Sequence, residues 1–420
     1  MIAENQTTIS NAPLYWLALG TFAVGAEGFM IAGILPSIAA DLAVSVSVAG
    51  QLVAAFAFAY AISSPILTAL SGSLNRRRLL IMAMFAFALA NLLAWSASGY
   101  WSLMGARILL AFAAGVYVPG ANALAGALVA PERRGSALAI VNGGLTVAIA
   151  LGVPLGTFVA NTFGWRMTFV GLALIAAGAT VGLSLGLPAN IGAGLPTANL
   201  RERISVARQP AVLLALLGTT LWAMGGYTVY TYLALFIQEV TTIQAAHVGV
   251  ILFTWGASAA IGVALGGMGN DKLGFRSVIL PALVSMIAAF LTLSASAHLI
   301  SKTFAMAPVL LAVIVWGIAA WAFYPAQQAR LIAIAGVKVA PIALSLNASF
   351  MYLGFSLGAG AGSLTLAYSH VSNLGLVATV FVAASLLLTM RTTRPLAPAS
   401  GSTTRPAAIS PALSTKKAAY

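Results

Sequence analysis

Two charged residues stand inside apolar segments and could take part in proton chemistry. Glu27 is the only charge in the apolar run 14–38, and Arg107 lies near the start of the run 101–126. An acid kept in hydrocarbon despite its cost is a functional candidate by default. A rise of about 1.5 Å per residue places both groups roughly 10 Å from the same membrane face. Because each charge is costly alone and cheaper as a pair, we predict that they meet.

The predicted pair suggests a way to couple proton binding to conformation. Glu27 would alternate between pairing with Arg107 and holding a proton, so that each protonation state favours a different arrangement of the chain. The alternative is structural: Arg107 reaches to the outer interface, and Glu27 is a fixed partner in helix packing. The sequence leaves both interpretations open.

Motifs for enzymatic chemistry are absent from the sequence. The chain has no P-loop, so ATP is not the direct energy source. Its three histidines, His247, His298 and His370, are far apart and form no evident metal site or nucleophile–base pair. It has no cysteine, which excludes disulfides and thiolate metal sites. We therefore expect no enzyme, no metal and no cofactor, with a proton gradient as the energy source.

Composition identifies the elements that must position the two charges. Of the 420 residues, 61% are hydrophobic and 6% are charged, whereas soluble domains carry about 25% charged residues. Repeated apolar runs of about 20 residues predict an all-α membrane protein rather than a β-barrel. We predict twelve transmembrane helices, at 14–38, 48–71, 79–97, 101–126, 136–161, 167–187, 211–237, 248–269, 277–297, 304–329, 341–368 and 373–390.

The distribution of basic residues predicts the orientation in the membrane. Basic residues gather in the loops that follow even-numbered helices, whereas the loops of the opposite side hold only Arg166 and Lys302. The positive-inside rule then places both termini in the cytoplasm. The same rule accounts for the net charge of +13 without a nucleic-acid partner.

The chain divides into five segments. We predict a cytoplasmic N-terminus (1–13), a six-helix half (14–187), a cytoplasmic linker (188–210), a second six-helix half (211–390) and a disordered cytoplasmic tail (391–420). Residues 1–13 lack the basic start of a signal peptide, so we expect the first apolar run to remain as a helix. The linker and the tail are rich in residues that favour turns and disorder, such as Pro and Gly or Ser.

The two halves repeat each other in sequence. A shift of 206 positions superposes residues 114–119 on 320–325, and it continues into the next helix, where small residues again coincide. In the fifth and eleventh helices these residues are Ala148, Gly152 and Gly156, which fall on Gly354, Gly358 and Gly362. Parallel six-helix repeats, with a substrate site between them, are an architecture of secondary transporters.

By these features the chain resembles the major facilitator superfamily over about residues 10–390, and within it the twelve-helix drug:proton antiporters similar to arabinose-efflux permeases. Four stretches carry the resemblance: Glu27 with Pro36; residues 103–107 with Gly115; residues 152–157 with 164–166; and residues 267–276. The resemblance implies two pseudo-symmetric six-helix halves, with Glu27 and Arg107 in proton coupling. The chain departs from the family at residues 72–78, which lack the usual aspartate, at Ala111, and at Val153.

Two groups of residues are candidates for conformational motifs. Gly152, Pro154 and Gly156 in the fifth helix, with Gly354 and Gly358 in the eleventh, would permit close helix contact and rocking of the halves. We expect seams between the fifth and eighth helices and between the eleventh and second. In the loop after the eighth helix, the glycines of 267–276, Gly267 among them, would form a tight turn. Asp271 would pair with Lys272 or Arg276, or accept from a helix N-terminus, as a cytoplasmic latch.

Aromatic and amide side chains are the candidates for a substrate cavity, because apolar cavities with a few hydrogen-bonding groups suit organic ligands. The candidates are Asn122, Asn142, Trp222, Tyr227, Tyr230, Trp255, Tyr324, Gln328, Asn347 and Tyr352.

These observations favour a secondary-active exporter of a small organic compound, driven by inward proton movement. A proton-coupled importer or a uniporter of sugar-like solutes is the alternative within transport. A membrane receptor or scaffold that does not transport is a third hypothesis. We expect the partners to be a small-molecule substrate and the lipid bilayer, and we expect the chain to act as a monomer.

Overall fold

The twelve predicted transmembrane helices are confirmed. The computed structural model describes residues 11–130, 133–189, 191 and 198–392, and twelve helices in these ranges are long and apolar enough to cross a membrane. Of the predicted N-terminal segment, linker and tail, residues 1–10, 190, 192–197 and 393–420 lie outside the described residues.

The first half consists of α1 to α7. Their bounds are α1, Ala12–Asp41; α2, Val46–Leu70; α3, Arg76–Trp95; α4, Tyr100–Ala127; α5, Arg134–Val147; α6, Val153–Phe163; and α7, Arg166–Gly186. Between α5 and α6, residues Ala148–Gly152 form one wider π-helical turn, so that α5, this turn and α6 together make the fifth membrane span.

The second half follows a short linker helix, α8, Leu200–Ala207. Its own helices are α9, Pro210–Tyr230; α10, Leu233–Val240; α11, Val248–Leu273; α12, Phe275–Leu299; α13, Met306–Ala335; α14, Ala340–Tyr368; and α15, Leu374–Thr392. The seventh span, predicted as 211–237, is interrupted at Thr231 and Tyr232, after which α10 continues the chain.

Helix pairing follows the same scheme in both halves. The first span packs on the fifth, the second on the fourth and the third on the sixth. In the second half the seventh span packs on the eleventh, the eighth on the tenth and the ninth on the twelfth. The structural repeat therefore matches the sequence repeat, as parallel six-helix units require.

The expected seams between the halves are present. The second span, α2, packs along α14, and α11 packs along the π turn and α6 of the fifth span. We call the end of the bundle where α1 ends and α2 begins the Asp41 end, and the opposite end the basic end. At the Asp41 end the two halves are joined by hydrogen bonds between Ser47 of α2 and Ser363 of α14.

We predicted that the glycines of the fifth and eleventh spans lie at these seams, but they do not face them. A Cβ atom added at each of the predicted glycines would meet the first helix of the same half instead. The neighbours are Ala26 for Gly152, Met30 for Gly156, Thr220 for Gly354 and Met224 for Gly358. The missing side chains let the fifth and eleventh spans approach α1 and α9 closely, which is the usual role of small residues in membrane helices.

The seam on the fifth span uses another glycine. A Cβ atom on Gly256 of α11 would lie 3.0 Å from Cα of Ala150 in the π turn and would collide with the carbonyl oxygen of Ile149. Pro154 follows this turn and lacks the N–H that an α-helix would use, which explains why the fifth span is irregular here. The predicted interruption at Pro154 is therefore present as a π turn.

We expect Gly354→Ala to destabilise the second half by about 1–3 kcal/mol, the cost of overpacking a tight contact. The new methyl group would lie 2.5 Å from the carbonyl oxygen of Thr220. Gly360→Ala on the same helix is the matched control, because an added Cβ there meets nothing within 4 Å. The thermal midpoint in detergent, followed by size-exclusion chromatography, should fall for the first variant only. Equal midpoints for the two variants would contradict the assigned packing.

Candidate functional site

Glu27 and Arg107 form an ion pair between α1 and α4. The pair joins Oε1 of Glu27 to Nη1 of Arg107, and both side chains are 0% exposed. Two further groups on α2 hold the guanidinium: its Nε donates to the carbonyl oxygen of Leu52 at 3.4 Å, and its Cζ lies 4.6 Å from the ring centre of Phe56. Three helices of the first half therefore position one buried pair.

The pair is incompletely satisfied. The second carboxylate oxygen of Glu27, Oε2, and the second terminal nitrogen of Arg107, Nη2, are buried and have no hydrogen-bond partner among the described residues. A buried ion pair seldom adds stability over a well-packed apolar pair of similar volume. Packing strength alone therefore does not explain why this pair is buried.

An aromatic cavity lies beside the ion pair, almost entirely in the second half. Its free volume is about 20 Å³, room for about one water molecule, and among the described residues Phe29 of α1 is the one lining residue from the first half. The aromatic side chains from the second half that line it are Trp222, Tyr227, Tyr230, Trp255, Trp316, Trp321 and Phe355. The lining also includes Ala, Gly and Met residues but no charged side chain.

Ring contacts hold the walls of the cavity in place. The rings of Tyr227 and Phe355 stack at 3.6 Å, and those of Tyr230 and Trp255 lie 4.4 Å apart. The hydroxyl of Tyr230 donates to the carbonyl oxygen of Phe29 at 3.1 Å, which joins the two halves at the cavity. Aromatic contacts of this kind add to the stabilisation from burial, so the walls are preorganised.

The cavity and the ion pair are neighbours through two residues. Phe29 follows Glu27 by two positions on α1 and contacts the rings of Tyr227, Tyr230, Trp255, Trp321 and Phe355. Tyr227 lies close enough to Glu27 and Arg107 to interact electrostatically with both. A ligand that displaces Phe29 or Tyr227 would therefore change the surroundings of the buried acid.

Eight of the ten residues predicted for a substrate cavity lie in or beside it. Trp222, Tyr227, Tyr230 and Trp255 line it. The ring of Tyr324 is 6.2 Å from that of Trp222 with Gln328 and Asn347 beside its hydroxyl, and the ring of Tyr352 is 5.3 Å from that of Phe355. Asn347 also accepts a hydrogen bond from Thr219 at 2.7 Å, so it is bound within the second half.

The prediction for the remaining two, Asn122 and Asn142, is wrong for this cavity. The amide nitrogen of Asn142 donates to the amide oxygen of Asn122 at 2.9 Å, so the two side chains bind each other between α4 and α5. Neither contributes to the lining. Each also bonds a carbonyl oxygen one turn earlier in its own helix, which is the usual local solution for an amide in a membrane helix.

The sequence prediction missed several lining residues. These include Phe29, Phe355 and Met286. The sequence feature that could have identified Phe29 as a lining residue is its position two residues after Glu27.

The turn predicted within residues 267–276 forms at Gly274, later in the chain than Gly267. Gly267 and Asp271 both lie inside α11, which ends at Leu273, and the turn is made by Gly274 at φ 78°. The predicted pairing of Asp271 with Lys272 or Arg276 is also wrong for this conformation. The carboxylate of Asp271 instead accepts a hydrogen bond from the side-chain amide of Asn270 at 3.4 Å.

A second ion pair, which the sequence analysis did not predict, lies at the Asp41 end. Arg166 at the start of α7 pairs with Asp41 at the end of α1, and the side chains are 33% and 45% exposed. The guanidinium also donates to the carbonyl oxygen of Ala97 at 3.1 Å and lies over the ring of Trp165. These contacts tie together the ends of three spans of the first half.

Hydrogen bonds between the two halves lie at the Asp41 end and at the cavity. The hydroxyl of Ser47 donates to the carbonyl oxygen of Ser363 at 2.8 Å, and the hydroxyl of Ser363 donates to the carbonyl oxygen of Ser47 at 2.9 Å. With the bond from Tyr230 to Phe29, these are the direct hydrogen bonds between the two halves in the part of the chain described. The Asp41 end is therefore closed in this conformation.

No metal site accompanies the pair and the cavity. Within the described ranges, no group of three or more His, Cys, Asp or Glu side chains could hold a metal ion.

Comparison with known proteins identifies the family. The sequence profile of the Major Facilitator Superfamily matches residues 17–359. The chain is 33% identical over 371 residues to the inner membrane transport protein YdhP of Escherichia coli (strain K12), across 87% of this chain and 93% of that protein. It is 32% identical over 262 residues to a chloramphenicol resistance protein of Streptomyces lividans, across 62% of this chain and 67% of that protein.

The fold is similar to that of solved transporters. A bacterial homolog of the human lysosomal transporter Spinster, crystallised in an inward-facing and occupied conformation, superposes with a TM-score of 0.72 at 17% identity. The match covers 90% of this chain and 96% of that chain. The chain therefore belongs to the Major Facilitator Superfamily and is a multi-pass membrane transporter, not an enzyme.

Proposed function

We propose that the protein exports a small, largely apolar organic compound in exchange for protons. The observation that carries this proposal is the position of the Glu27–Arg107 pair directly beside the aromatic cavity. Burial of an acid in the membrane is costly, so an acid at such a position indicates a function. For a carboxylate that function can be the binding of a proton. Substrate and proton would then bind at neighbouring sites, which is what coupled exchange requires.

The similarity to a chloramphenicol resistance protein supports export over import, because that protein is named for resistance to a toxic compound. The composition of the cavity agrees with an apolar substrate. A sugar would need several polar side chains to replace its hydration, and the lining residues supply aromatic faces instead.

We propose that the basic end faces the cytoplasm of a bacterial cell and that the chain lies in the inner membrane. The basic residues between the helices support this orientation through the positive-inside rule. The conformation described is then closed toward the outside by Ser47 and Ser363. A single chain contains the cavity and the ion pair, so we propose that it works as a monomer without a cofactor.

The π turn offers a route by which the state of the pair could reach the other half. Gly152 at the end of this turn packs against Ala26, the neighbour of Glu27. On its other side, Ile149 and Ala150 pack against Gly256 of α11. We propose that a change at Glu27 shifts α1 against this irregular turn and so alters the seam between the halves.

The direction of transport tests the proposed function. In inside-out membrane vesicles with an acidic lumen, we expect accumulation of a radiolabelled substrate, sought in a panel of aromatic compounds that includes chloramphenicol. One proton exchanged per molecule would support a concentration ratio of about tenfold per pH unit. Accumulation only when the lumen is alkaline would indicate an importer instead. Equilibration to equal concentrations, whatever the pH gradient, would indicate a uniporter.

A further inference from the structure

The aromatic cavity presents hydrogen-bond donors that have no acceptor. The indole N–H groups of Trp222, Trp255 and Trp316 are buried and unpartnered within the described part of the chain. All three rings line the cavity, and their side chains are between 1% and 3% exposed. Buried polar groups are normally hydrogen-bonded, so three such donors around one cavity need an explanation.

The lining side chains offer few hydrogen-bond acceptors for a donor on a ligand. None of its lining side chains carries a carboxylate or an amide oxygen. The side-chain oxygens in the lining are the hydroxyls of Tyr227 and Tyr230, and that of Tyr230 already donates to the carbonyl oxygen of Phe29. Indole N–H groups are donors only, so the wall is complementary to hydrogen-bond acceptors.

We propose that this cavity binds uncharged aromatic compounds whose acceptor groups, such as nitro or ketone oxygens, receive hydrogen bonds from the indole N–H groups of Trp222, Trp255 and Trp316. The proposal rests on the proposed transport function, of which it specifies the substrate class. Aromatic faces favour planar apolar ligands, and the rings must move apart to admit one, because the free volume between them is about 20 Å³ in this conformation.

Aromatic cavities can also bind organic cations through the faces of their rings. Here three indole N–H groups, each positive at its hydrogen, belong to lining residues, and Arg107 lies near Tyr227. Glu27 is paired with Arg107 and so supplies no net negative charge. The electrostatics of the site therefore favour a neutral acceptor over a cation.

Competition binding to the purified protein in detergent tests this selectivity without any proton gradient. The probe is tritiated 4-nitroacetophenone, and the competitors are 4-isopropyltoluene, which has a similar shape but no acceptor, and trimethylphenylammonium, an aromatic cation. We expect the nitro ketone to bind about tenfold or more tightly than the hydrocarbon, from hydrogen bonds that each contribute about three- to tenfold. The cation should be the weakest of the three.

Tryptophan-to-phenylalanine variants identify the donors, because they keep an aromatic ring and remove the N–H. Each of Trp222→Phe, Trp255→Phe and Trp316→Phe should lower the ratio of the two affinities about three- to tenfold. The triple variant should bring the ratio near one. Trp101→Phe is the matched control, since Trp101 is 79% exposed and lies outside the cavity.

Three results would overturn the proposal: no saturable binding of the nitro ketone, tighter binding of the cation, or a ratio unchanged in the single variants. A failure of proton coupling is distinguishable from each of them. If Glu27 has no role in coupling, Glu27→Gln retains gradient-driven transport while the binding selectivity and its dependence on the three tryptophans persist.

Discussion

Glu27→Gln is expected to abolish proton-driven accumulation while leaving the protein folded. The amide has nearly the shape of the carboxylate but cannot exchange a proton near neutral pH. In vesicles with an imposed pH gradient, the wild type should accumulate substrate about tenfold per pH unit, and the variant should reach a ratio of about one. Exchange of labelled for unlabelled substrate without a gradient should continue, because the aromatic cavity is unchanged.

A matched control shows whether loss of transport is specific to Glu27 or follows from replacing any glutamate. Glu239→Gln removes the exposed carboxylate near the end of α10 and should transport like the wild type. Size-exclusion profiles in detergent would show whether both variants are folded. Full gradient-driven accumulation by Glu27→Gln would refute the assigned role of this acid.

Cross-linking Ser47 to Ser363 is expected to stop transport by locking the Asp41 end. The two hydroxyl oxygens lie 3.0 Å apart across the seam between α2 and α14. The chain has no cysteine, so the variant Ser47→Cys/Ser363→Cys would contain the only two thiols. Alternating access requires this end to open, and a covalent bond between the halves prevents that. Oxidation should reduce transport to background, and a reductant should restore it.

The single variants Ser47→Cys and Ser363→Cys are the controls for cross-linking, since each adds a thiol but no bridge. Neither should respond to the oxidant. A bridged protein that transports at the wild-type rate would contradict the assignment of these helices to a gate.

Several features were predictable because they depend on regular spacing and on the cost of burial. The twelve helices follow from hydropathy, and the duplicated halves follow from the sequence repeat. That Glu27 and Arg107 meet follows from their similar depth, because neither charge is tolerated alone in hydrocarbon. Their role in proton coupling stays a prediction.

Other features depend on how a side chain is directed, which spacing alone does not determine. The stripe containing Gly354 and Gly358 was expected between the halves, yet it faces α9, because hydropathy does not say which neighbour a small residue touches. Asn122 and Asn142 satisfy each other, a local hydrogen bond that residue type does not reveal. Phe29 enters the cavity because α1 packs next to the second half.

The loop after the eighth span shows a limit of another kind. Residues 267–276 have glycines and charges that suggest a turn, but α11 continues through Gly267 to Leu273. Helix propensity is a weak prior that packing overrides. Gly266 packs on the backbone of Ala322 in α13, which favours continuation of the helix at this position.

Difference infrared spectroscopy of purified wild-type protein and Glu27→Gln, titrated from alkaline to acidic pH, tests most directly whether this acid takes up a proton. The account predicts a C=O stretching band of a protonated carboxyl group that grows in the wild type and is missing from the variant. Identical difference spectra for the two proteins would contradict the account, because the carboxyl group of Glu27 would then take up no proton over the titrated pH range.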